Sequence, residues 1–164
     1  EVTSHNNYKW LWKSSATMKI KVFGWLLPSD RLNTRNMLKE GTITLETIMV
    51  ASYVAALGET IEHMIFTCHF SLACWDTLNI HWTTNGDRLN WIKEAKTVWN
   101  NPMFMEIFLY ASWSLWKERN NKHFRNVRPS MESWRDRFKN DMSMMVHRTR
   151  NSLHPFIRGL VAAI

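Results

Sequence analysis

The side chains from which a catalytic or metal centre could be built in this 164-residue chain are seven histidines, two cysteines and fourteen carboxylates. The cysteines, Cys68 and Cys74, are too few for a disulfide framework, and a spacing of six does not stack them on one helical face. A reducing, intracellular setting is therefore expected. A polymerase-type two-metal centre needs paired aspartates, and the sequence contains no Asp-Asp pair. A ribonuclease H-type centre needs several converging carboxylates, whereas the acidic residues of 81–164 are scattered singly among basic ones. Ser/His/Asp and Cys/His nucleophile sets can be written down from the histidines, but no spacing brings their members together. The expectation is a protein that is not an enzyme.

Binding chemistry is better represented. Residues 1–80 hold 7 Lys/Arg and 7 Asp/Glu, and residues 81–164 hold 14 and 7, so the formal charge of +7 sits in the second half. Within residues 117–158 alone there are 11 basic and 4 acidic side chains, a segment that attracts phosphate, anionic lipid or an acidic protein face. Trp113, Trp116, Lys117 and Arg119 form the pattern of a base-stacking, phosphate-contacting cluster. The competing reading is stronger: two tryptophans three apart on a very apolar helix belong to a core, with Lys117 and Arg119 as its solvated edge. The methionines Met142, Met144 and Met145 read the same way, as core before docking face.

The elements that must position these groups are helices. Five glycines and four prolines are too few for the turns of an all-β sandwich or for glycine-rich phosphate loops. Ten Trp and ten Met provide a large apolar core. No apolar run approaches the eighteen or so residues of a membrane span, so a soluble chain is expected. Near the start, Tyr8, Trp10 and Trp12 alternate with Lys9, Leu11 and Lys13, as in a short strand or an extended arm. Ile20, Phe23, Trp25, Leu26 and Leu27 form a helical stretch closed by Pro28. A second helix is capped by Thr34, carries Met37 and Leu38, and ends at Gly41, while residues 42–58 give no clean period. Ile61, Met64, Ile65 and Cys68 mark one amphipathic helix, and Ser71 is placed to cap another with Leu72, Trp75 and Leu78. After a connection with a turn at Asn85-Gly86 comes a helix with Leu89, Ile92 and Trp99, stopped by Asn100-Asn101-Pro102. Two apolar stripes between Met103 and Asn121 predict a helix buried on most sides. Pro129-Ser130 opens a last long helix with Met131, Trp134, Phe138, Met142 and Met145, which His154-Pro155 is expected to end before the apolar tail 156–164.

Three blocks carry a family resemblance. Lys19-Ile20-Lys21-Val22-Phe23-Gly24-Trp25-Leu26-Leu27 with Asp30-Arg31-Leu32-Asn33-Thr34-Arg35-Asn36-Met37-Leu38 closely resembles the zinc-binding domain downstream of reverse transcriptase in plant LINE-type retrotransposons. Glu59-Thr60-Ile61-Glu62-His63-Met64-Ile65-Phe66-Thr67-Cys68, then Phe70-Ser71 and Cys74-Trp75, is similar to its second half. Trp113-Ser114-Leu115-Trp116-Lys117-Glu118-Arg119-Asn120-Asn121 with Phe124-Arg125 resembles the helix that follows. The resemblance implies a four-ligand zinc site made by a Cys-x-x-Cys pair together with the later His and Cys. Here Val50-Ala51-Ser52-Tyr53-Val54-Ala55-Ala56-Leu57-Gly58 stands where that pair belongs, so only His63 and Cys68 remain. Two ligands do not hold a structural zinc, and Glu59, Glu62, His69 or Cys74 would serve only if the fold converged them.

The expectation is thus an all-α or mainly α bundle of about six or seven helices. A degenerate zinc-binding-like region, 1–82, packs with a Trp-rich and basic region, 83–164, as one compact unit. No cofactor is expected, zinc included. The expected activity is protein–protein binding through Trp134, Phe138 and Met142 with Arg135, Arg137, Lys139, Arg148 and Arg150. The alternative is RNA or DNA binding through the same basic helices. The resemblance favours nucleus or cytoplasm. The chain starts at Glu1 and reads as a fragment of something longer, so an organelle address upstream stays open.

Overall fold

A computed structural model describes residues 8–27 and 60–164. The protein is mainly α, and the described residues contain no strand. The chain opens with α1 (Lys9–Lys13) and α2 (Met18–Leu26). The expected extended arm is instead a single helical turn, which buries Leu11 and packs Trp10 against the core while Trp12 stays outside. The helix expected around Met37 and the irregular stretch 42–58 lie outside the described residues.

From Ile61 the chain turns as a helix that widens into a π turn over His63–Thr67. The Cys68 N–H closes it by donating to the His63 carbonyl at 3.0 Å, five residues back. Widening frees carbonyls that side chains of the next helix, α3 (His69–Thr77), take up. Ser71 Oγ donates to Met64 O, and Trp75 Nε1 donates to Ile65 O at 2.6 Å. Ser71 is therefore not the cap foreseen for this helix. Cys68 occupies that position, its sulfur accepting from the Ser71 N–H at 3.3 Å.

Next come α4 (Arg88–Trp99) and α5 (Phe104–Arg125). Asp87 caps α4 by accepting from the Asn90 N–H, and left-handed Asn100 ends it. Helix α5 is buried all round from Phe104 to Trp116, and it lies at the centre against α2, α3, α4, the π turn and α6 (Met131–Met144). Phe66 and Trp75 each stack on Phe108, with ring centroids 6.2 and 5.8 Å away, and Trp82 meets Phe66 and Trp75 edge-on. Beyond α6 the chain tightens into a 3-10 turn at Met145–His147. Another at Asn151–Leu153 leads into α7 (His154–Ala163), which packs back on α6. His154-Pro155 thus starts a helix where a stop was expected. Proline in the first helical turn loses no hydrogen bond, and its fixed φ suits the helix.

Candidate functional site

A groove of about 590 Å³ opens between α2, α5 and the end of α6. Its floor is apolar and aromatic, with Ile20, Tyr110 and Trp113, and exposed Met144 stands at its edge. Its rim carries Lys19, Lys117, His147 and Arg148 against one carboxylate, Asp141. The lysines are held rather than loose: Lys19 Nζ and Lys117 Nζ lie 5.3 Å and 4.9 Å from the Trp113 ring centroid, and Lys117 is also 5.1 Å from that of Trp116. Arg148 Nε donates to the Ser15 carbonyl at 2.9 Å, which fixes the third cation at the groove's end. Burial raises the Asp141 carboxyl above its ordinary value, and Arg137 and Lys117 partly oppose the shift. Burial also raises the Tyr110 phenol, whose oxygen accepts from the Thr17 N–H at 3.4 Å.

The residues expected to meet a partner divide differently. Trp134, Phe138 and Met142 are completely buried, facing α5, and Trp134 Nε1 donates to the Ala111 carbonyl. They form the packing face of α6 and cannot also be a docking surface. Among the cations assigned with them, Arg137 approaches Glu118 at 3.6 Å, Arg135 and Lys139 are half-buried on α6, and Arg150 is exposed. Of the five, only Arg148 lines the groove. Trp113 and Trp116 are core, packed with Phe23, and carry Lys117 on their outer side. The sequence reading missed Lys19 and His147. Lys19 stands in the half of the chain with no net charge, and no local spacing relates it to Lys117.

Cys68 and His63 do not come together as a metal site. His63 is exposed on the π turn, while Cys68 is buried with its sulfur already surrounded by protein donors. Ser71 Oγ lies 3.0 Å from it, and Arg119 Nη2 donates to it at 3.0 Å from the far part of α5. Cys74 faces Met131 Sδ at 3.5 Å, and burial pushes its thiol far above the ordinary value. Among the described residues no three His, Cys, Asp or Glu side chains are grouped to hold a metal ion. The donor set present there does not fit a structural zinc.

Residues 2–75 match the family model described as zinc-binding in reverse transcriptase. No curated protein and no solved structure gives a significant match.

Proposed function

We propose, from the premise that residues 2–75 are a segment of the reverse-transcriptase zinc-binding family, that this is a retrotransposon-derived, non-enzymatic module that binds nucleic acid. The observation that carries the reading is the groove, where Lys19, Lys117 and Arg148 converge on an aromatic floor. Phosphates supply the charge such a rim attracts, and the exposed Met144 beside it offers apolar contact to a base, while buried Trp113 holds the two lysines in place. The non-enzymatic part is supported by how the two buried carboxylates are used. Glu106 accepts from the Ser15 N–H, and Glu118 accepts from Ser130 and Ser133, so both are engaged in structure. No helix among the described residues is long and apolar enough to cross a membrane. Two buried free thiols fit a reducing compartment, which supports nucleus or cytoplasm, and the resemblance of the motifs supports a plant element.

The test is a salt titration of binding to a fluorescent single-stranded oligonucleotide. Wild type is expected to weaken steeply between low and physiological salt. Lys19→Ala/Lys117→Ala/Arg148→Ala should lower the slope of log K against log salt by about one for each phosphate no longer engaged. Lys93→Ala/Lys96→Ala, on the exposed side of α4 outside the groove, should leave it nearly unchanged. Equal losses in the two variants would sink the assignment.

Protein binding stands as a second reading on one observation: Met144 in the groove and Trp12 and Met18 on α1 and α2 are large apolar side chains, 45–66% exposed. An apolar protein interface of that kind responds little to salt. A pull-down that keeps its partner after nuclease treatment would favour it.

A further inference from the structure

We infer that the Arg119 guanidinium occupies the structural role of a metal at Cys68, tying the π turn and the start of α3 to the far part of α5 through the Cys68 sulfur. Zinc does this work by drawing separate pieces of chain to one point, and its binding energy is then folding energy. Here a comparable tie is made with a different centre and between different pieces of chain. Cys68 ends the π turn, caps α3 through the Ser71 N–H and receives the Arg119 Nη2 donor at 3.0 Å across 51 residues of sequence. Ser71 reinforces the point from the other side. Its hydroxyl lies 3.0 Å from the same sulfur and donates to the Met64 carbonyl inside the turn. The site is dry, with Cys68 only 5% exposed and Ser71 fully buried, so each donor–sulfur interaction counts for more than it would in water. A guanidinium suits the place because it is permanently charged and presents several donors in a rigid fork. Zinc approaching Cys68 would have to displace Arg119, and among the described residues no group of three metal ligands is placed to receive it. The sequence permits no more thiolates, since Cys68 and Cys74 are the only cysteines.

The experiment combines zinc content, chelator and thiol access on the full chain. Purified wild type is expected to hold substoichiometric zinc and to keep its melting temperature in excess EDTA. Arg119→Met keeps the length of the side chain and removes its donors. It should lower the melting temperature and raise the alkylation rate of Cys68, located by mass spectrometry, by about tenfold or more as the turn opens locally. Cys74, held against Met131, should react at its wild-type rate. Cys68→Ala should lower the melting temperature by a similar amount, and the double variant should lose little more, since both remove one tie. If Arg119→Met does not fold, Arg119→Lys, which keeps the charge but loses the fork, should give an intermediate labelling rate. Stoichiometric zinc with unfolding by EDTA would overturn the inference. So would additive effects of the two single variants, or Cys68 labelling in Arg119→Met no faster than in wild type.

Discussion

Glu118 is 1% exposed on α5, yet its carboxylate oxygens are fully engaged: Ser133 Oγ donates to one at 2.6 Å, the Ser130 N–H to the other at 3.2 Å, and Arg137 approaches at 3.6 Å. The carboxylate therefore fixes where α6 begins. Glu118→Ala would leave part-buried donors without their acceptor and is expected to cost about 1–3 kcal/mol, measured by denaturant unfolding. Glu118→Gln, which keeps one acceptor, should cost less. Asp141 works in the opposite direction. Burial raises its folded-state pKa above the ordinary 3.8, so the folded state holds this proton more tightly than the unfolded one. Its contribution to stability is then present at low pH and is lost as pH rises from 3.8 through the raised value. Asp141→Asn should accordingly melt higher than wild type at pH 7, with the difference shrinking on acidification and vanishing below the ordinary carboxyl pKa. The same change removes the single negative charge from the groove and should tighten oligonucleotide binding at low salt.

Helix α2 meets α5 at Gly24. A Cβ there would lie 2.2 Å from Leu109 Cδ2 and 2.9 Å from Leu11 Cδ1, both belonging to completely buried side chains. Alanine gains about 1 kcal/mol of helix propensity over glycine, but overpacking a tight core costs about 1–3 kcal/mol. Gly24→Ala is expected to destabilise, whereas Gly159→Ala on α7, where nothing lies within 4 Å of the added carbon, should raise the melting temperature. The sequence was most legible where one element carries its own message. Two apolar stripes on α5 announce burial on every side, and Trp134, Phe138 and Met142 announce one packing face. It was silent on what covers that face, because spacing within a helix does not identify its neighbour. Tyr8, Trp10 and Trp12 alternate like a strand, yet a segment of one turn has too few residues for periodicity to decide. His154-Pro155 was misleading because proline is compatible with a helix start as well as a helix end. The groove was only half legible, since Trp113 and Lys117 are neighbours along α5 but Lys19 and Arg148 arrive from opposite ends of the chain.

Across the whole molecule, α5 organises what the other helices share. Trp134→Ala would open a void between α5 and α6, where Trp134 stacks with Phe138 at 5.5 Å, and should cost about 3–5 kcal/mol of global stability in calorimetry or denaturant unfolding. The segment that matches the family model and the residues beyond it contribute to one hydrophobic cluster, in which Phe23 of α2 touches Trp113 and Phe66 of the π turn touches Phe108. One residue between α1 and α2 shows how far that sharing extends. Ser15 gives its N–H to Glu106 at 2.8 Å and receives Arg148 on its carbonyl at 2.9 Å, partners 91 and 133 residues further on. On a ribosome the first two helices leave the exit tunnel long before Arg148 exists. At about 5–20 residues per second, the 133 residues between them take roughly 7–27 s to add. Leu11 and Phe23 lack their α5 cover through much of that interval, within reach of any chaperone that holds nascent apolar chain, and the Ser15–Arg148 tie on α1 and α2 closes only once Arg148 has been added.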